Sequence, residues 1–255
     1  MNILVCIKQV ADMESRFVVP PGGSWFEETD LAFRINEYDE YAIEAAVQVK
    51  EKLGDAASLT VLSLGPQRSS EALKKALAMG ADQAIHLLDP QGPQKDSLQV
   101  ARAIHSAVKD KGFELIFTGM QSQDRGSAQV GILLAELLGI DSVSTLVEFS
   151  FEGGKIQGER ELEGGIRAQV TLATPALVTC QLGLNQPRYP TLPNIMKAKK
   201  KPMETLEVSG TGEAVLGVKE IGAPPKRGAA ELIEGDLSAQ VAQVVAILKD
   251  NKLIG

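Results

Sequence analysis

The stretch best equipped to bind an anion is the loop Gly119-Met120-Gln121-Ser122-Gln123-Asp124-Arg125-Gly126-Ser127-Ala128-Gln129, which leaves an apolar run and opens a helical segment ending at Leu138. A strand-to-helix loop presents unpaired backbone N–H groups and the positive end of a helix dipole, a combination that favours a phosphate. Gly119 and Gly126 let the backbone approach a ligand closely, and Ser127 and Ala128 are small enough to leave it room. The loop is neither a Lys-Ser/Thr phosphate loop nor a Gly-x-Gly-x-x-Gly fingerprint. The same residues also suit an ordinary turn capped by Ser127. Asn36-Glu37-Tyr38-Asp39 open another helix, as simple capping or as a second wall at the same sheet edge. Cys6, ending the first apolar run, reads as a small core residue sooner than as a reactive thiol.

A third segment carries a different chemistry. LNQPRYPTLPNIMKAKKK at 184–201 sets prolines at 187, 190 and 193 beside Leu192, Ile195 and four lysines. A proline-stiffened loop offering apolar side chains next to positive charge is pre-organised for docking a protein. Its plain alternative is a solvated basic loop.

The elements around these segments alternate. NILVCI (2–7), SLTVLSL (58–64), QAIHLL (83–88) and ELIFTG (114–119) are short apolar runs of buried-strand type. Between them lie amphipathic segments: one capped by Asn36 and ending at Gly54, one from Ser69 or Ser70 to Gly80, and one from Ser97 to Gly112. A fourth is expected from Ser127 to Leu138. This alternation predicts an α/β fold, an open and mostly parallel sheet with helices on both faces, Rossmann-like and adenine-nucleotide-binding in type. Residues 13–33 read as a Pro/Gly turn between two edge strands. After 140 the pattern changes to a β-hairpin turning at Gly153-Gly154, two extended runs separated at Pro175, and an irregular basic stretch at 183–203. The expected domains are an α/β nucleotide-binding domain at 1–203, docking loop included, and an extended C-terminal arm with a final helix at 204–255.

Composition narrows the function. With 26 basic and 33 acidic residues the chain carries a formal charge of −7, which argues against a nucleic-acid binder. Only two cysteines and two histidines occur, so neither a disulfide framework nor a metal or triad site is well supplied. No apolar run is long enough for membrane insertion, and no targeting peptide is recognisable, which predicts a cytoplasmic protein. An enzyme acting alone on ATP would need lysines or a metal-binding carboxylate at 119–127, where only Asp124 and Arg125 stand.

The docking segment and several others resemble one family. RELEGG (160–165), Pro175 and PRYPTLPNIMKAKKK (187–201) are similar to the signature region of the electron transfer flavoprotein β subunit, and ILVCIKQV, INEYDEYAIEAA, LGP, ALAMGAD and the Gly-x-Gln-Ser-x-Asp loop follow in family order. The resemblance implies a heterodimer with an α subunit that carries most of an FAD. Electrons would pass to it from acyl-CoA or related flavin dehydrogenases, then on to a quinone-linked oxidoreductase. It implies no catalytic side chain and a structural AMP in this subunit. The AMP positions would be Cys6, Asn36, Glu37, Tyr38, Asp39, Leu64, Gly119, Gln121, Ser122, Gln123, Asp124, Arg125, Gly126, Ser127, Ala128, Gln129 and Val130. Partner docking would fall to Tyr189, Leu192, Pro193, Ile195, Met196 and Lys197, with Leu192 as anchor, and contact with the α subunit's flavin domain to Glu161. Met13 departs from members that have a tyrosine near the flavin. The alternative within the family is an electron-bifurcating member with a second FAD in place of AMP. Ser127-Ala-Gln-Val-Gly131 resembles such members, whereas Arg125-Gly126 replaces their usual Gly-Asp pair.

Overall fold

The computed structural model describes residues 1–208, 211–222, 228, 230 and 232–254. Its elements in chain order are β1 (Asn2–Ile7), β2 (Gln9–Ala11), β3 (Phe33–Ile35), α1 (Glu37–Leu53), β4 (Ser58–Gly65), α2 (Ser70–Met79), β5 (Gln83–Leu88), α3 (Ser97–Val108), β6 (Leu115–Gly119), α4 (Val130–Leu138), β7 (Asp141–Glu152), β8 (Lys155–Glu161), β9 (Arg167–Ala173), β10 (Ala176–Cys180), α5 (Leu192–Ala198), β11 (Met203–Glu207) and α6 (Leu237–Asp250).

Nine strands form one sheet in the order β11-β5-β4-β1-β6-β10-β7-β8-β9. Pairing is parallel from β11 to β7 and antiparallel across β7-β8-β9. β1 shows why a continuous apolar run belongs in the middle of such a sheet. Its Ile3, Val5 and Ile7 pack with Ile43 and Ala46 of α1 and Leu73 of α2, while Leu4 and Cys6 pack on the other face with Ile104 of α3 and Leu134 of α4. Alternate side chains thus fill two separate cores, each buried aliphatic contributing about 1.5–3 kcal/mol. The predicted α/β architecture with helices on both faces is the one observed. Among the described residues no helix is long and apolar enough to cross a membrane.

Three local expectations need correction. The helix expected from Ser127 begins at Val130, because Ala128 adopts left-handed backbone (φ 53°) and interrupts helical geometry. The stretch read as irregular at 183–203 contains the helix α5, started by Thr191, whose side chain accepts from Asn194 N at 3.4 Å. Residues 204–207, read as the beginning of an arm, belong to β11, parallel to β5 at the sheet edge.

Met1–Ile221 form one compact unit and Gly222–Gly255 a second. In the second, α6 is capped by Asp236, which accepts from Ala239 N at 2.9 Å, and it exposes Leu237, Val241, Val244 and Val245 at helical spacing. Positions 209–210, 223–227, 229 and 231 of the expected arm lie outside the described residues.

Candidate functional site

The next strand of the large sheet after β1, β4, lies on one side of it, and the chain later returns through α3 to place β6 on its other side. That reversal opens a crevice at the carboxyl ends of the strands, where ligands of open α/β sheets bind. A cleft lies there, with Cys6, Leu62, Leu64, Val100 and Ile104 among its apolar walls and Lys8, Arg68, Lys95 and Arg125 among its cations.

The segment at the start of α1 braces the cleft from one side. Asn36 does not cap α1 with its side chain. Instead its amide donates to Gln121 O at 2.8 Å and to Asp39 Oδ1 at 3.0 Å, and its Oδ1 accepts from Gln123 N at 2.9 Å. Glu37 accepts from the Gln123 side chain at 2.8 Å, and Tyr38 Oη from the Gln121 side chain at 3.1 Å. All four residues of the 36–39 segment therefore bear on the 119–123 loop or its strand end. Asp39 accepts from Lys8 N at 2.6 Å and Gly119 N at 3.1 Å as well, joining the ends of β1 and β6. At Gly119 a side chain is excluded, since a Cβ would meet Asp39 Oδ1 at 2.2 Å and Tyr38 Cβ at 2.7 Å.

Electrostatics follow from this burial. Asp39 is 5% exposed, and desolvation pushes its carboxyl up to about 7 against the pull of its donors. Burial, and secondarily the Asp39 charge, push the Cys6 thiol far up, so it remains a neutral apolar wall. Lys8 is drawn below its ordinary value by burial, opposed by Asp124, to which its Nζ donates at 2.7 Å.

Beyond this braced portion the loop is open. The amides of Ser127 through Gly131 have no hydrogen-bond partner among the described residues. Gly131 brings α4 close against the sheet, where a Cβ would meet Thr118 Oγ1 at 2.6 Å. The Arg125 Nε and Gln123 Oε1 atoms are buried without a partner. Apolar walls, a row of free amides and several cations make a donor set that fits a flat apolar ring bearing a phosphate.

On the α1–α2 face the 184–201 segment has a fixed base and a bare tip. Arg188 donates to Glu44 at 2.7 Å and to Glu51 at 2.6 Å, both on α1. Burial pushes Glu44 up, but hydrogen bonds from Arg188 and Gln48 bring its carboxyl below the usual value. Asn185 donates to Tyr41 O at 2.9 Å, and Lys201 Nζ to Leu77 O at 3.0 Å. Between these anchors Tyr189 is 90% and Leu192 79% exposed, while Ala198 alone of α5 is buried.

The model of the electron transfer flavoprotein domain matches residues 24–211. The chain is 37% identical over 256 residues to the electron transfer flavoprotein subunit beta of Bacillus subtilis, covering 98% of each chain. It is 33% identical to that of Methylophilus methylotrophus, covering 99% of each, and 36% identical to that of Mus musculus, covering 96% of this chain and 98% of the other. The chain belongs to the electron transfer flavoprotein β-subunit family. As a member, it serves electron transfer and has an α-subunit partner.

Of the residues that the family resemblance points to for AMP, Cys6, Asn36, Asp39, Leu64, Gly119, Gln121, Ser122, Asp124, Arg125 and Ser127 to Val130 line the cleft. Glu37, Tyr38, Gln123 and Gly126 stand outside the lining, the first three acting on the loop from behind. Glu161 ends β8, where its carboxylate accepts from Gln181 at 3.2 Å and is exposed. Met13 is half exposed.

Sequence reasoning missed Lys8, Trp25, Phe26, Phe33, Pro93 and Ser97 in the cleft lining. Position offered a signal for two groups: Lys8 directly follows β1, and Pro93 and Ser97 follow β5, both at carboxyl ends beside the crevice. Trp25 and Phe26 come from the Pro/Gly-rich 13–33 segment, and nothing local announced their destination.

Proposed function

We propose that this chain is the β subunit of a heterodimeric electron transfer flavoprotein that holds AMP in the cleft and docks acyl-CoA-type or related flavin dehydrogenases through its 189–198 loop. Electrons then reach the FAD held mostly by the α subunit and leave for a quinone-linked oxidoreductase. The observation that carries the AMP assignment is the cleft at the β1–β6 reversal, with its free amides at 127–131. Ser127 to Gly131 would hold the phosphate, Cys6 and Leu64 would flank the base, and Asn36 and Asp39 would fix the loop from behind. FAD, when bound, supplies the reversible uptake of electrons. This chain contributes orientation and electrostatics, with no catalytic side chain of its own.

The exposed tip supports the docking role. A bare Leu192 on an anchored helix is ready to enter a pocket without an ordering cost, and its burial would contribute about 1.5–3 kcal/mol. Glu161, exposed at the end of β8 beside Gln181, would pair with a cation of the α subunit's flavin domain.

The test is nucleotide content. The heterodimer is purified and denatured, and released FAD and AMP are counted. One of each per heterodimer is expected. Two FAD and no AMP would instead mean the electron-bifurcating alternative, and no AMP with one FAD would remove the nucleotide role of the cleft.

A further inference from the structure

Arg125 lines the cleft and is held there by contacts on separate segments. It stands in the β6–α4 loop, on one wall. Its guanidinium donates to the carbonyl of Pro93, in the turn between β5 and α3 on the other wall. The same guanidinium lies 4.9 Å from the centre of the Trp25 ring, a cation–π contact with a third segment. A second bridge joins the same two segments, where Ser97 Oγ at the start of α3 donates to Ser127 Oγ at 3.1 Å. Protein atoms therefore join the two walls at both points.

From this geometry we infer that Arg125 sets the length of the nucleotide the cleft accepts, admitting a mononucleotide and excluding a dinucleotide. This rests on the nucleotide reading of the cleft proposed above. A ligand that ends at one phosphate leaves both bridges in place. One that continues past its first phosphate has to run between the walls, and there it meets the guanidinium. Admitting it means breaking the bond to Pro93 and unstacking Trp25 together. A flexible side chain reaching one partner would swing aside at little cost. Arg125 is a planar group fixed on two partners, and it resists displacement. It is a specificity residue and takes no part in moving electrons.

The experiment uses the heterodimer with its cleft nucleotide removed and the α-subunit FAD in place. Affinities for AMP and for added FAD at the β-subunit site are measured by calorimetry for wild type, Arg125→Ala and Arg125→Lys. Wild type is expected to favour AMP over FAD. Arg125→Ala should cut that preference at least tenfold by raising the affinity for FAD, and Arg125→Lys should fall between. An unchanged preference in Arg125→Ala overturns the inference, as does a large loss of AMP affinity alone, which would make Arg125 a phosphate ligand. Wild type binding FAD as tightly as AMP also overturns it, while leaving the cleft a nucleotide site. Wild type binding neither would remove the nucleotide reading itself. A second readout tests the clamp without any ligand, since Trp25 is the only tryptophan of this chain. With fluorotryptophan in this subunit only, Arg125→Ala should shift and sharpen its single fluorine resonance. An unmoved resonance would show that Arg125 does not restrain the ring, and would overturn the clamp even if the variant folds normally.

Discussion

The cleft and the 189–198 loop are both positioned by α1, yet they are built in opposite ways. At the cleft, Asn36 and Asp39 are turned inward and hydrogen-bonded: both are buried and meet loop amides, a strand end and each other. At the loop, the charged anchors Arg188 and Lys201 hold the backbone, and the tip residues touch almost nothing. The first arrangement uses its hydrogen bonds to fix a shape, as the proposed nucleotide site would need. The second fixes only the chain path and leaves apolar side chains free, as the proposed docking of a transient partner would need.

The comparison breaks most readily at Gly119. Gly119→Ala forces a Cβ into Asp39 and the Tyr38 side chain. It should cost roughly 1–3 kcal/mol in urea unfolding, in the range of overpacked cores, and lower nucleotide content sharply. Unaltered stability would show that the strand end is not tightly packed on α1. Next is Arg188→Ala, which leaves Glu44 buried at 5% exposure without its cation. Because Arg188 is about one-third exposed, solvent compensates part of the loss, and about 1–2 kcal/mol is expected. Donor-to-flavin transfer should fall while nucleotide content stays constant. A parallel loss of nucleotide would mean that the two regions are not independent.

A smaller effect concerns pH. Burial raises the folded-state Asp39 value from 3.8 to about 7. The folded chain then binds this proton more tightly than the unfolded chain, so stability from this group is full below about pH 4 and is lost as pH rises to about 7. Asp39→Asn should flatten that part of the stability–pH profile, whereas an identical slope in the variant would assign it elsewhere. Smallest of all, Lys199→Glu with Lys200→Glu should leave folding within about 0.5 kcal/mol. These changes should weaken dehydrogenase docking at low salt only, since exposed charges are screened over roughly 8 Å at physiological ionic strength. An effect persisting in high salt would indicate packing at these positions.

Legibility in the sequence divided along the same line. The parallel strands and their helices were plain, because continuous apolar runs and 3.6-residue periodicity are local properties. The 119–129 loop was visible for the same reason, as a strand end followed by small residues and a helix. What Asn36 does was not visible. Its position invites capping, and only the pairing of β1 with β6 brings its amide to Gln121 and Gln123, 85 and 87 residues away. Ala128 gave no warning of its left-handed backbone, which delays α4 by three positions relative to Ser127. Helix α5 escaped notice because its prolines suggested an irregular path, although Pro193 sits in the first turn, where its missing N–H costs nothing.

The most direct test of the division is made on Leu192→Ala. FAD and AMP are counted per heterodimer, and the rate at which a reduced flavin dehydrogenase passes electrons to the FAD is measured on the same preparation. The expected result is unchanged nucleotide content with a rate lowered at least about tenfold, the equivalent of a lost buried leucine. An undiminished rate at full nucleotide content would contradict the account, because the most exposed apolar side chain of α5 would then have no part in docking.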